Sequence, residues 1–559
     1  MQPRRRENTK KSIFFFVSSC FRGCIQEVHT RAIIDEYGDR DRAAALCRAE
    51  PLARGTPGDG ALGRVGGRRV ERGVRPRHCR RRSPLSERGG NRGRRFRCVR
   101  ADRRLDAAGR HSRALDRDRR RCRHPRHRPG VGAPRGAPEL SPIGNSVSIG
   151  PHPLIYDWNH DAAGPRPVAM LDDETLRDGL QSPSVRTPTI EEKIDILHRM
   201  NALGIDTADI GLPGGGPKVA GDVERLARAI GDGRLKIRAN CAARTVVADI
   251  QPIAEIAART GVPIECCTFI GSSPIRQYAE GWTLDYLLKC TEDALTFAVK
   301  EGLTATYVTE DTTRADPESL RRLLTTAIRA GASRLCIADT VGHSTPNGAR
   351  AIVTYVKSII KELDVDAGID WHGHRDRGFG VSCAIAALEA GATRLHGAAL
   401  GIGERCGNTP IDLLLVNLAM MGYIERDLTS LPAYCKAVAR ACDVPIPANY
   451  PVIGADAFRT ATGVHAAAVV KAFRKGDRAL MDAVYAAVPA SLVGRQQEIE
   501  VGPMSGRSNV VFWLESRGLP GTDEIVDRVF AAAKASNRIL TPEQVQKIVD
   551  DVRRLEVKS

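Results

Sequence analysis

At 559 residues, 42% of them hydrophobic, the chain is too long for one compact unit and has ample apolar material for a large core. Its formal net charge of +18 is unevenly spread: residues 1–140 hold 36 Arg and 2 Lys against 15 Asp plus Glu, a net of +23, which leaves −5 for residues 141–559. The basic balance therefore belongs to the first quarter, the remainder is an ordinary mildly acidic protein, and the absence of any apolar run of roughly 18 residues excludes a membrane span.

Taken in chain order, the first 148 residues offer little periodicity. Ile13–Cys20 follows a basic start and loosely resembles a signal peptide, but it is short and no clean small-residue cleavage site follows. From Arg54 to Arg135 the text is Arg, Gly and Pro with isolated acids, a composition that cannot bury enough apolar surface to offset chain entropy and is expected to be disordered. An arginine-rich arm is one reading, but Phe96 stands almost alone as an aromatic, which argues against a nucleic-acid partner. The preferred reading is GC-rich DNA translated outside the native frame or start. The nine cysteines after residue 140 are scattered, and Cys266, Cys267 and Cys336 sit in apolar runs. That usage fits a reducing, cytoplasmic setting.

Order begins near Pro165. A short apolar run, Val168–Thr175, precedes a helical pattern from Ile190 to Leu203, and the alternation then repeats. Strand-like runs follow at Ile205–Leu212, Leu235–Asn240, Ile264–Ile270, Ala305–Thr309, Arg334–Ala338, Ala367–His372 and Arg394–Ala399. Helical periods fill the gaps, as in Asp285–Glu301, Glu318–Ala330, Asn347–Leu363 and Val381–Ala390, and several stop at a glycine such as Gly204 or Gly331. Eight alternations predict an α/β protein, a (β/α)₈ TIM barrel over residues 165–425, with a C-terminal helical subdomain over 426–559 and a disordered Arg-rich segment over 1–148. A doubly wound sheet shares the alternation but usually stops at five or six strands.

In such a barrel, reactive groups gather at the C-terminal strand ends. The first strand ends in Asp173-Glu174-Thr175-Leu176-Arg177-Asp178-Gly179, the seventh in Trp371-His372-Gly373-His374-Arg375-Asp376, and the eighth runs into Gly401-Ile402-Gly403-Glu404-Arg405-Cys406-Gly407-Asn408. Alternation puts His372 and His374 on one face, and barrel closure brings strands 1, 7 and 8 together, so Asp178 and Asn408 can join the two imidazoles. Two nitrogens, a carboxylate and an amide oxygen suit a catalytic divalent ion. Arg177 would place a fixed cation where a ketone oxygen gains charge. The Gly-x-Gly at 401–403 lacks the third glycine of a dinucleotide loop.

Together these motifs resemble the metal-dependent acyltransferase and lyase superfamily that includes 2-isopropylmalate, homocitrate and citramalate synthases and hydroxymethylglutaryl-CoA lyase, over roughly residues 168–510. The resemblance implies Mg²⁺, Mn²⁺ or Zn²⁺ on Asp178, His372, His374 and Asn408, acetyl-CoA as co-substrate, and Arg177 polarising the carbonyl of a 2-oxo acid, by default 2-oxoisovalerate as in leucine biosynthesis. Arg375 stands where the family commonly has Asn, and Asp209 in Asp209-Ile210-Gly211-Leu212-Pro213 stands where it has Glu. Gln181, Thr340 and Glu310 are the remaining candidates at the mouth for binding substrate.

Past the barrel, Thr462-Gly463-Val464-His465 and the Tyr485…Val493-Gly494-Arg495 spacing resemble the synthases' post-barrel segment. By that resemblance His465 and Tyr485 assist catalysis in the partner subunit's site, which implies a homodimer. About 50 residues after Ser505-Gly506-Arg507 are too few for the leucine-binding regulatory domain of many isopropylmalate synthases, so no feedback inhibition by that route is expected. A lyase would carry a Gly-Gly-Cys-Pro loop after strand 8, which is absent, although Leu180-Gln181 is lyase-like.

Overall fold

A computed structural model describes residues 152–159 and 167–556. The expectations for residues 1–148, including the signal-like stretch and the arginine-rich segment, lie outside these described residues.

The eight expected strands are present: β1 (Met170–Asp173), β2 (Thr207–Asp209), β3 (Arg238–Arg244), β4 (Ile264–Gly271), β5 (Ala305–Glu310), β6 (Arg334–Asp339), β7 (Gly368–Gly373) and β8 (Arg394–Gly397). All pair in parallel in sequence order, and β1 closes on β8 with Met170 opposite Arg394 and Asp173 opposite Gly397. Helices α1 (Ile190–Ala202), α2 (Pro217–Asp232), α3 (Val247–Thr260), α4 (Pro274–Glu280), α5 (Leu284–Lys300), α6 (Pro317–Arg329), α7 (Pro346–Glu362), α8 (Gly380–Ala390), α9 (Ile411–Met420) and α10 (Leu431–Cys442) cross between strands or cover the wall. Among the described residues no helix is long and apolar enough to cross a membrane.

Local chemistry sets the boundaries. Thr189 opens α1 with a capping box, its hydroxyl accepting from the Glu192 amide (3.3 Å) while its own amide donates to the Glu192 carboxylate (2.7 Å). Gly204 follows α1 at φ +71°, a left-handed turn that only glycine takes without strain. β2 is shorter than the apolar run Ile205–Leu212 suggested. The Gly211 amide turns back onto Asp209 Oδ1 (3.1 Å) and Gly211 adopts φ +144°, so regular strand geometry ends at Asp209 although Gly211 O still accepts from the Ala242 amide (3.1 Å).

Outward-facing strand residues such as Leu171, Leu335 and Ile369 share one buried core with Leu197, Leu226, Ile253, Leu323 and Val356 of the helices. Each such side chain contributes about 1.5–3 kcal/mol. The barrel interior is different, because its floor is ionic. Arg394 on β8, 1% exposed, reaches Asp370 on β7 (Nε–Oδ2 2.9 Å) and crosses the barrel to Glu265 on β4 (Nη1–Oε2 2.8 Å). Arg334 on β6 binds the other Asp370 oxygen (2.7 Å). Burial alone would raise the Asp370 pKa, but Arg394, His396 and Arg334 hold it far below the usual carboxylate range.

Past the barrel come α11 (Gly463–Arg474), α12 (Arg478–Ala483), α13 (Arg507–Glu515), α14 (Asp523–Ala535) and α15 (Pro542–Glu556). This lobe is helical as expected, with one addition: β9 (Arg459–Thr460) and β10 (Glu498–Ile499) form a short parallel pair. Val526, Val529, Val545 and Val549 pack around Trp513 in a core of their own. Two buried acids tie the barrel to its surroundings. Tyr434 of α10 donates to Asp173 (2.5 Å), whose pKa burial raises to about 7. Asp412 of α9 accepts from the Leu400 amide (2.6 Å) and Tyr450 hydroxyl (3.0 Å), and burial raises it to about 6.

Candidate active site

The ends of β1, β7 and β8 bring four of the expected residues together at the C-terminal mouth. Asp178 sits in a short 3₁₀ turn just past β1, His372 is on β7, and His374 follows it. Asp178 Oδ2 lies 3.4 Å from His372 Nε2 and 3.6 Å from His374 Nε2, and the two rings are 5.3 Å apart, edge to face. Asn408 is carried in by a backbone bridge to His374 and steadied by its Nδ2 donating to Ile402 O (3.1 Å). Gly403 (φ +144°) makes room, since a Cβ there would meet Asn408 Nδ2 at 2.3 Å. Asp178 Oδ1, His374 Nδ1 and Asn408 Oδ1 are buried without a hydrogen-bond partner. Asp178, His372 and His374 offer ligand atoms within 4.8 Å of one another. Unpartnered buried acceptors in a mixed nitrogen and oxygen set fit a divalent cation.

Arg177 is clasped by carboxylates: Nε to Asp209 Oδ2 (2.6 Å), Nη2 to Glu174 Oε2, and Nη1 3.5 Å from Asp178 Oδ2. Burial would raise the Asp178 pKa, but Arg177, His374 and His372 bring it down to about 2, so it is anionic. Asp209 goes the other way. Burial, reinforced by Glu174 and Asp172, outweighs the Arg177 contact and raises it to about 7.

Two members of the site were not picked out from sequence. Glu174 Oε1 is 2.9 Å from His372 Nδ1 and 2.7 Å from Nδ1 of His396 on β8, and His396 Nε2 is 3.3 Å from Asp370. Burial would lower the His396 pKa, but Asp172, Asp370 and Glu174 raise it to about 10, so it is an imidazolium. The available signal was strand alternation: Glu174 shares a face with Asp172, and His396 with Arg394, and polar residues at inward positions of a core strand require partners.

The cavity over this cluster measures about 210 Å³. Gln181, Thr340, Glu310, Asp209 and Arg177 line it, as do Ala242, Phe269, Val308 and Ala338 from β3–β6. Thr340 Oγ1 accepts from the Asp311 amide (2.8 Å), and Glu310 pairs with Arg276 (3.1 Å). Arg405, at φ +54°, ties the last loop to its neighbours through Thr340 O (2.6 Å) and Asp376 (2.8 Å). Arg375 fastens the same loop, donating to Cys406 O (2.8 Å). His465 and Tyr485 are elsewhere. They stack on each other at 4.3 Å on the C-terminal lobe, both exposed, and neither lines the cavity of its own barrel.

Known proteins resemble this chain over the barrel and beyond it. The HMGL-like family model matches residues 169–437. A probable 2-isopropylmalate synthase of Methanopyrus kandleri is 30% identical over 367 residues, 65% of this chain and 68% of that protein. Homocitrate synthase AksA of the same organism is 31% identical over 387 residues, 68% of this chain and 91% of that protein. Among solved structures, the HMG-CoA lyase of Bacillus subtilis aligns with 22% identity and a TM-score of 0.42, covering 51% of this chain and 96% of that one. Identity at this level across two thirds or more of both synthases, with the family match running the length of the barrel, makes the chain a member of the HMGL-like family.

Proposed function

We propose that this chain condenses acetyl-CoA with a 2-oxo acid in a Claisen-type reaction and hydrolyses the thioester, with 2-oxoisovalerate as the first candidate. The observation that carries the reading is the convergence of Asp178, His372, His374 and Asn408 beside Arg177. The synthase names of the M. kandleri relatives support it.

Asp178, His372, His374 and Asn408 would hold the divalent cation, Mg²⁺, Mn²⁺ or Zn²⁺. When bound it supplies Lewis-acid polarisation and a template for a chelating oxo acid. Arg177 stabilises the charge that the keto oxygen gains under attack, and the Thr340 hydroxyl is available to the oxo-acid carboxylate. A base removes a methyl proton from acetyl-CoA, and the enolate carbon then bonds to the keto carbon. Asp209, titrating near neutrality beside Arg177, is a suitable donor to the new alkoxide. Water then cleaves the thioester and releases the thiol. His465, with Tyr485 against it, is the candidate base. Because neither lines its own barrel's cavity, both would act from the second copy in a homodimer.

The cavity wall favours an uncharged oxo-acid chain. Ala242, Phe269, Val308 and Ala338 make that part of the wall apolar. A second substrate carboxylate, as in 2-oxoglutarate, would be set against apolar side chains there.

The test is thiol release from acetyl-CoA with Mg²⁺ or Mn²⁺ across a panel of 2-oxo acids. Release with a branched or short alkyl oxo acid is expected. Silence across the panel from folded, metal-loaded protein would overturn the reading, and cleavage of a 3-hydroxyacyl-CoA thioester without any oxo acid would move the chain to the lyases.

A further inference from the structure

We infer that Glu174 is the positioning residue shared by the metal-binding and carbonyl-polarising halves of this site, an inference that rests on the reading above.

Glu174 directly follows β1 and is 3% exposed. An ionised carboxylate only accepts hydrogen bonds. Oε1 lies within hydrogen-bond distance of Nδ1 of both His372 (2.9 Å) and His396 (2.7 Å), so both imidazoles present an N–H there. Holding the proton of His372 on Nδ1 leaves the lone pair on Nε2, the nitrogen that faces Asp178. This is how an outer carboxylate selects the tautomer and aim of a ligating histidine. The other oxygen, Oε2, takes Nη2 of Arg177. One side chain therefore sets both the imidazole that would face the metal and the guanidinium that would face the ketone.

His396 keeps Glu174 in place. Its second nitrogen is 3.3 Å from Asp370, which Arg334 and Arg394 grip from below, so the chain of contacts runs from the mouth to the barrel floor. His396 has no part in the proposed ligand set. Its two nitrogens are occupied by Glu174 and Asp370, which makes it a spacer between the carboxylates.

Glu174→Gln preserves volume but offers one acceptor oxygen and an NH₂, so it cannot receive His372, His396 and Arg177 together. The experiment is Mn²⁺ binding to the full chain, read as free Mn²⁺ by electron paramagnetic resonance, with circular dichroism and the metal-free melting temperature alongside. Wild type is expected to bind, and Glu174→Gln to bind about 10- to 100-fold more weakly, with kcat falling more than the KM for acetyl-CoA. A purely structural role would lower the metal-free melting temperature and leave the Kd of the folded fraction unchanged. That outcome, or a variant Kd equal to wild type, overturns the inference alone. Wild type that binds no Mn²⁺ overturns the metal reading and this inference with it. If Glu174→Gln does not fold, His396→Leu carries the test, since leucine offers Oε1 no donor. A weaker Mn²⁺ Kd is then expected, and an unchanged one overturns the inference.

Discussion

His374 and Asn408 face each other across an antiparallel backbone bridge, so the loop after β8 is pinned to the end of β7 by main chain. The two side chains are therefore set against each other by the backbone, not by a contact between themselves. Asn408→Ala should remove the unpartnered Oδ1 and one bond to Ile402 O, costing only about 0.5–1.5 kcal/mol of stability. Metal-dependent turnover should nevertheless collapse. Urea melts and thiol-release assays on the same preparation separate the two effects. His372→Ala and His374→Ala should likewise fold by circular dichroism and lose metal-dependent activity, and full activity in either would refute the ligand set.

The ionic floor makes a different prediction. Arg394→Met removes the cation that joins Asp370 to Glu265 and leaves buried carboxylates short of a partner. The expected cost is about 3–5 kcal/mol, read as a lowered urea midpoint at pH 7. A change below about 1 kcal/mol, the range of exposed ion pairs, would mean that water reaches the floor.

Asp412 supplies a pH dependence whose sign follows from linkage. Its folded pKa is about 6, against the ordinary 3.8. Between those values the folded protein keeps a proton that the unfolded chain has lost, so this group's contribution to stability falls as pH rises from about 4 and levels off above about 6. Asp412→Asn stays neutral and should lack this slope. Between pH 4 and pH 7 the variant should gain on wild type by on the order of 3 kcal/mol. A wild-type-to-variant difference constant with pH would show that Asp412 is ionised when buried.

Catalysis from a second copy can be tested by complementation. Arg177→Ala disables the barrel's own residue, whereas His465→Ala disables only what the C-terminal lobe lends. Each variant alone should be inactive. A mixture allowed to exchange subunits should regain activity, because one site in each hybrid dimer is intact. No recovery after verified exchange would put His465 outside the chemistry.

Much of this arrangement was legible in sequence, because its signals are local or periodic. Eight apolar runs alternating with helical periods gave the barrel, and glycines such as Gly204 marked helix ends with the left-handed turn that the structure has. Asp178, His372, His374 and Asn408 were legible because strand closure makes distant segments neighbours by rule. Glu174 and His396 were not, because their roles depend on a three-way contact between strands 1, 7 and 8 whose register no single segment encodes. The Arg394–Glu265 pair was hidden for the same reason, since β4 and β8 lie on opposite sides of the barrel. His465 was legible as a motif whose resemblance implied a role in the partner subunit's site, and in this chain it does not line its own barrel's cavity.

The ionic floor also bears on how the protein responds to heat. The hydration that charged groups give up on folding becomes less favourable as temperature rises, while stabilisation per unit of buried apolar area plateaus. Keeping Arg334, Asp370, Arg394 and Glu265 out of water therefore costs less near the melting point than in the cold. A barrel filled with branched aliphatics would gain no such relief, so this one should hold its mouth residues in register up to temperatures close to global unfolding.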